Sequence, residues 1–219
     1  MHFVQTSTSR RRSPKVKTSS TATFHSRYGA FNLKAFELSP DRTHLAMWLG
    51  DLSSPDPLLV RVQSSCLTGT ALGASICDCR AQVEQALAQI AQEGRGLFVY
   101  LDEEARGHGL REKVNGMVEM NQGASTVTAY TDRGLPADRR TYGDVRPILA
   151  ALGTTKVLRV VTNNPAKLEA LANQGYEIHE RLPIEIEPTE LTRHYLLTKK
   201  RELGHILSVA SDGSDETEA

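Results

Sequence analysis

Three cysteines are the chain's whole complement, and all lie between positions 66 and 79: Cys66, then Cys77 and Cys79 on either side of Asp78. Thiolates are soft ligands that suit Zn²⁺; a structural zinc site closes with four protein ligands, whereas a catalytic one takes three and keeps a position for water. A count of three points to catalytic zinc. The alternatives are a disulfide with one thiol left over, a structural site completed by a histidine, and thiols serving as small buried core residues. Cys77 and Cys79 are separated by one residue, which strains a disulfide between them, and no histidine lies between Asp51 and Tyr100.

Val161-Thr162-Asn163-Asn164-Pro165-Ala166-Lys167 reads as an apolar strand running into a helix, with Asn164 as N-cap, Pro165 in the first helical position and Lys167 in the first turn. Free N–H groups, the helix dipole, the Thr162 hydroxyl and an ammonium would converge there as a phosphate site; the plainer alternative is a capped helix with a solvated lysine. The glycines of a Walker loop are missing. Asp138-Arg139-Arg140 follows Gly134-Leu135-Pro136 in an expected loop. A carboxylate beside guanidinium donors can position water or a phosphoryl group, or form a solvated surface pair. The run from Glu103 to Gly109 follows an apolar strand, where α/β folds place ligand loops. Glu104 there can pair with the amide and amino edge of a guanine, or belong to a polar loop with His108 exposed.

The elements that must position these groups alternate. Leu33 to Leu38 and Thr43 to Leu49 read as a strand pair around Ser39-Pro40-Asp41, and Leu58 to Val62 as a third strand. Val83, Ala86, Leu87, Ile90 and Ala91 recur at helical spacing before Gly94, a left-handed cap, and Gly96 to Tyr100 is a buried strand. Thr126 to Tyr130 (strand), Tyr142 to Leu152 (helix), Lys156 to Val161 (strand), Pro165 to Asn173 (helix), and Tyr176 to Arg181 with Ile184 to Ile186 (strand) follow. Pro147 fits its helix only within the first turn. The pattern predicts one α/β domain, a single mixed sheet with flanking helices, over residues 23–207.

The ends differ from the middle. Residues 1–22 carry Arg10, Arg11, Arg12, Lys15 and Lys17 among Ser and Thr with no acid, which reads as a disordered basic tail, a composition an organelle transit peptide shares. Residues 208–219 carry Asp212, Asp215, Glu216 and Glu218 and read as an acidic disordered tail. A net charge of +0 implies no general attraction to nucleic acid, so an anionic ligand needs a local cluster of Lys and Arg. No apolar run reaches the roughly 20 residues that span a bilayer. Metal-poised cysteines without a disulfide framework suit a reducing compartment, the cytoplasm.

Arg61-Val62-x-Ser64-x-Cys66-Leu67-Thr68-Gly69, Cys77-Asp78-Cys79 with Gln82, Glu104-x-Arg106, Ala137-Asp138-x-Arg140 and Thr162-Asn163-Asn164-Pro165-x-Lys167 occur in the order and near the spacing of one enzyme family. From about Ser26 to Leu207 the chain resembles GTP cyclohydrolase II. The resemblance implies a zinc held by Cys66, Cys77 and Cys79 with water in the fourth position, attack on C8 of GTP, ring opening to a formamide and a second hydrolysis releasing formate. It implies pyrophosphate release with Mg²⁺ on the triphosphate, and the matched Arg140 and Asp138 as nucleophile and base; a guanidinium is a poor nucleophile at its normal pKa, and electrostatic stabilisation would serve as well. Substrate positions carried over are Arg61, Val62, Gln63, Ser64, Ser65, Gln82, Glu104, Ala105, Arg106, Thr126, Thr162 and Lys167. A homodimer is implied too.

The chain departs from the family pattern at Gln63 and Ser65, which replace a histidine and a glutamate, at Ala105 and Arg80, which replace glycines, and at Met117, which stands where the family has an active-site tyrosine. A thioether neither donates a proton nor polarises a carbonyl. The expected outcome is ring opening without deformylation, in a specialised nucleoside pathway. The rival readings are a full GTP cyclohydrolase II serving riboflavin synthesis, a related hydrolase for another nucleotide, and a catalytically silent nucleotide-binding homologue.

Overall fold

The computed structural model describes residues 16–209, so Arg10, Arg11, Arg12 and Lys15 of the expected basic tail, and Asp212, Asp215, Glu216 and Glu218 of the acidic one, lie outside the described residues. Lys17–Thr18 (β1) and Ala22–Ser26 (β2) both pair antiparallel with Gly29–Ser39 (β3). Positions 17, 18 and 22, assigned by composition to a disordered tail, therefore belong to the sheet. Edge pairing uses backbone groups and does not require apolar side chains; here Ser19 donates its N–H to the Ala35 carbonyl at 3.1 Å, and its side-chain hydroxyl accepts from the Ala35 N–H at 3.0 Å. At the other end Ser208 donates its N–H to Glu185 at 2.8 Å, and Val209 is buried with Leu196, Leu197 and Leu207.

Arg42–Leu49 (β4), Leu58–Ser64 (β5), Gly96–Leu101 (β6), Val157–Val161 (β7) and Glu177–Leu182 (β8) complete one eight-stranded sheet in the order β1-β3-β4-β6-β5-β7-β8, with β2 alongside β3. Pairing is antiparallel from β3 to β6 and parallel across β6, β5, β7 and β8. Parallel neighbours need crossovers: Cys79–Glu93 (α2) joins β5 to β6, and Pro165–Asn173 (α7) joins β7 to β8. Before α2 comes the short Leu67–Thr70 (α1); between β6 and β7 lie Glu104–Gly107 (α3), Leu110–Asn121 (α4), Thr128–Thr131 (α5) and Val145–Leu152 (α6); Glu190–Leu203 (α8) follows β8. This is the mixed α/β sheet that the sequence pattern predicts. No helix among the described residues is long and apolar enough to cross a membrane.

Strand β5 is buried along its whole length, and its period of two divides the core. Leu58, Val60 and Val62 pack with Val145, Ile148 and Leu149 of α6 and Leu171 of α7 on one face; Leu59 packs with Ala86, Leu87 and Ile90 of α2 on the other. Arg61 and Gln63 continue the Leu59 face, which carries two polar side chains inward over the first turns of α2. One stretch of alternation thus builds two cores and then turns polar.

Two expected strands are absent. Residues 126 and 127 form a turn that leads into α5 instead, because Ser125 Oγ accepts from the N–H groups of Val127 and Thr128 at 3.1 Å each and Thr128 Oγ1 accepts from Ser125 N at 2.8 Å, capturing the backbone groups a strand would use. Residues 184–186 are not a strand because the side chain of Asn163 takes both backbone groups of Ile184, donating to its carbonyl at 2.7 Å and accepting from its N–H at 3.0 Å. Helix α6 begins at Val145, three residues later than Tyr142, and so leaves Pro147 in the first turn. Removing the buried Asn163 clasp leaves two backbone groups unmet, so Asn163→Ala is expected to cost about 2–4 kcal/mol. A urea midpoint that falls with an unchanged slope checks this.

Candidate active site

The parallel strands β5, β6 and β7 end side by side, and the loops beyond those ends carry Cys66, Glu103 and Asn164. Cys66 leaves β5 as the residue preceding α1, while Cys79 opens α2, where the positive end of the helix dipole favours a thiolate. The sulfurs of Cys66, Cys77 and Cys79 lie within 4.8 Å of one another, and among the described residues no histidine, carboxylate or further thiol joins them. The Cys66 and Cys77 sulfurs are 3.9 Å apart, which excludes a disulfide and matches the spacing of about 3.8 Å for two thiolates at about 2.3 Å from one tetrahedral ion. Gly69 makes the convergence possible: a Cβ there would stand 2.6 Å from the Cys77 sulfur and 3.0 Å from that of Cys66.

Charge prepares the same spot. Hydrogen bonds from Cys77 and Cys79, and then the Lys113 ammonium, push the Cys66 thiol far below its ordinary range, while sharing with the Cys66 thiolate pushes Cys77 and Cys79 up. Lys113 Nζ lies 3.1 Å from the Cys66 sulfur and 3.2 Å from Glu104 Oε1. Burial opposes that ammonium, but the two anions outweigh it and hold its pKa above the lysine range. The residues present fit a soft divalent metal.

A second group of buried cations sits beside the cysteines. Arg61 is 3% exposed, yet its partners are all neutral: Gln63 Oε1 at 2.6 Å, Gln82 Oε1 at 2.7 Å and the Val161 carbonyl at 3.0 Å. Burial pushes its pKa down to about 10. Lys167, in the first turn of α7, is 8% exposed and donates to the Val62 carbonyl at 2.7 Å; burial, then Arg61 and Arg140, press its pKa well below the lysine range. Two buried cations whose hydrogen-bond partners are all neutral oxygens cost several kcal/mol unless an anion arrives. The expected cap is present, with Asn164 Oδ1 accepting from Ala166 N at 3.0 Å and Pro165 opening the helix. The Thr162 hydroxyl does not join the cluster: it caps the Asn164 N–H at 3.0 Å.

Arg140 is locked to Asp138 through Nε at 2.9 Å and Nη2 at 2.6 Å, and its Nη1 donates to Ser64 Oγ at 3.2 Å. Burial opposes its charge, but the Asp138 bond holds the guanidinium above even the usual arginine range, while Asp138 is held below the carboxylate range by that same arginine against the pull of burial. The Glu104 carboxylate accepts from the Leu67 N–H at 2.6 Å, the Ala105 N–H at 3.2 Å and Lys113. It is a brace, and the acid lining the cleft is its neighbour Glu103. Arg106 rivets two loops, donating to the Thr126 carbonyl at 2.7 Å, Thr126 Oγ1 at 2.8 Å and the Ala137 carbonyl at 3.3 Å. Ala105 and Arg106 adopt left-handed φ values of 52° and 56°, strain of the kind that collects at functional sites.

One open cleft joins these groups. Its walls include Arg61, Gln63, Ser64, Ser65, the three cysteines, Gln82, Ala105, Arg106, Met117, Thr126, Arg140 and Lys167; Val62, Glu104, Asp138 and Thr162 support it without lining it. The GTP cyclohydrolase II family model matches residues 17–183. The chain is 41% identical over 186 residues to a GTP cyclohydrolase-2 of Hahella chejuensis, covering 84% of this chain and 89% of that protein. The chain belongs to the GTP cyclohydrolase II family of hydrolases. It is also similar to a GTP cyclohydrolase-2 of Shewanella frigidimarina (39% identity; 88% and 96% covered) and to a riboflavin biosynthesis protein RibBA of Chlorobium phaeovibrioides (42%; 90% of this chain, 48% of that protein).

Sequence reasoning on this family member missed Glu103, Lys113, Tyr130, Tyr195, Lys199 and His205, all on the cleft. Lys113 stands one helical turn before Met117 on α4, a spacing that could have flagged it. The others reach the cleft through tertiary folding that no local pattern announces. Gly69→Ala is expected to abolish tight binding of a thiophilic divalent metal while the fold persists. Metal analysis of the purified variant beside the wild type, with a far-UV spectrum of each, checks it.

Proposed function

We propose that this member of the GTP cyclohydrolase II family is a zinc-dependent hydrolase that opens the imidazole ring of GTP at C8 and releases pyrophosphate. It stops at 2-amino-5-formylamino-6-ribosylamino-4(3H)-pyrimidinone 5′-phosphate, with the formyl group retained. The observation that carries this reading is that the cysteine cluster, the buried cations and Met117 all line one cleft. Zinc held by Cys66, Cys77 and Cys79 would supply a Lewis acid and a water whose pKa falls to about 7. Mg²⁺ arrives with the triphosphate, as part of the substrate.

The chain's own residues then divide the work. Arg61 and Lys167 take the phosphate chain, whose charge offsets the cost of burying them. Arg140 keeps its charge and stabilises the phosphoryl group as pyrophosphate leaves; a guanidinium locked to Asp138 is a poor nucleophile, and Asp138 orients it. Lys113 holds the Cys66 thiolate and Glu104, and Glu104 holds the backbone of Leu67 beside the metal. Gln63, Ser65 and Arg106 shape the cleft wall, with Gln82 and Thr126 bonded to Arg61 and Arg106. Met117 has no proton to give to the formamide, so the step that expels formate lacks its acid. Removing one such donor typically costs on the order of 10²-fold or more in the step that uses it.

A second reading, the full reaction with formate release as in riboflavin synthesis, draws on two other phenols in the cleft, Tyr130 and Tyr195. Incubating the zinc-loaded protein with GTP and Mg²⁺ and assaying formate and product mass separates the two. The formylated product with no formate is expected, and Met117→Tyr is expected to restore deformylation. Stoichiometric formate from the wild type contradicts the reading, and turnover of another purine triphosphate but not GTP contradicts the substrate.

Three free cysteines suit a reducing compartment such as the cytoplasm. Leu110, Val114 and Val118 are 45%, 53% and 50% exposed at four-residue spacing along α4, an apolar stripe that a second copy in a homodimer would cover. Val114→Asp is expected to convert dimers to monomers by light scattering, and an unchanged mass contradicts that interface.

A further inference from the structure

The family model's match ends at residue 183, yet four side chains beyond it line the same cleft: Tyr195, Lys199, Leu203 and His205. They come from α8 and the turn after it. Thr189 caps the start of that helix by accepting from Thr192 N at 3.2 Å, and Gly204, in a left-handed conformation (φ 63°), ends it. The His205 N–H donates to the Lys199 carbonyl at 3.0 Å, folding residue 205 back over the last turn. The Ile206 N–H then donates to the Asn163 carbonyl at 2.8 Å, and Leu207 and Val209 pack on Leu196 and Leu197. The segment is thereby tied to the turn at Asn163 and Asn164 that leads into α7 and Lys167.

Two features of this wall point to a ligand. Nδ1 of His205 is buried and, among the described residues, has no hydrogen-bond partner. Its surroundings are cationic: after burial itself, Lys199, Lys167 and Arg140 are what push the imidazole's pKa down to about 3, so it stands neutral among them. Lys199 is anchored to Asp78 at 3.3 Å, and Asp78 accepts from Gln82 at 2.6 Å, so one chain of bonds runs from α8 to Arg61. A neutral imidazole adds a donor to this crowd without adding a charge, and the chemistry that satisfies donor and cations together is a polyphosphate.

We infer that His205 is a binding residue for the phosphate chain of the nucleotide, its imidazole donating a ring N–H to a phosphate oxygen on the cleft wall it shares with Lys199 and Lys167. The inference rests on the nucleotide reading of the cleft and adds a wall to it. Calorimetric titration of the zinc-loaded full chain with GTP, inorganic pyrophosphate (each with Mg²⁺) and guanosine tests it. His205→Phe, which keeps the volume and removes the donor, is expected to weaken GTP and pyrophosphate about tenfold or more and to leave guanosine within about twofold. His205→Asn, whose amide can stand in for the ring N–H, is expected to recover most of that loss. Equal losses on guanosine and pyrophosphate, or full pyrophosphate affinity in both variants, overturn the inference. If Lys167→Met destroys wild-type GTP binding and His205→Phe leaves it intact, only this inference falls; a wild type that binds neither GTP nor pyrophosphate removes the nucleotide reading as well.

Discussion

Three sulfurs gathered within 4.8 Å of one another, with no fourth donor of the usual kinds among the described residues, are the constraint on which the site depends. Bringing them together requires Gly69 at the point of closest approach, a strand end that delivers Cys66 and a helix start that delivers Cys79. Those requirements in turn determine where β5 must end and where α2 must begin, and both elements are locked by buried apolar side chains: Leu58, Val60 and Val62 on one face, Leu59 against Ile90 on the other. The Lys113 ammonium then offsets part of the charge that accumulates. Packing positions the site, and electrostatics decides its protonation.

The same strand carries the second half of the site. Arg61 and Gln63 follow Leu59 on one face of β5, and the bonds from Arg61 to Gln82 and the Val161 carbonyl connect the helix that opens at Cys79 to β7. The net charge of the chain is +0, yet Arg61 and Lys167 are buried with neutral oxygens as their partners. A fold that holds cations in this way gives up stability when empty and recovers it when an anion binds, as linkage between binding and folding requires. Arg140 differs, because its guanidinium is paired with the Asp138 carboxylate.

Local patterns carried most of the architecture. The strand before Cys66, the α2 cap at Gly94 and the Asn164-Pro165 start of α7 are each written in side chains that act on their own backbone, and each forms where expected. The errors arose where side chains captured backbone groups from a distance in sequence or in an unexpected way, as Ser125 does for α5 and Asn163 does for Ile184. In the site, residue type and spacing alone single out the cysteines and Lys167, Arg61 enters through the family resemblance, and all five line one cleft. Glu104 reads in the sequence as an acceptor for a guanine edge, and nothing in its neighbourhood reveals that the Leu67 N–H, 37 positions earlier, donates to its carboxylate. The walls supplied by α8 depend on a return of the chain that no short motif encodes.

The account stands or falls on an open metal site made of three thiolates. Zinc K-edge X-ray absorption of the zinc-loaded protein measures this most directly. The account predicts three sulfur neighbours at about 2.3 Å and one oxygen neighbour near 2.0 Å. A shell of four protein ligands, or one with fewer than three sulfurs, would contradict it.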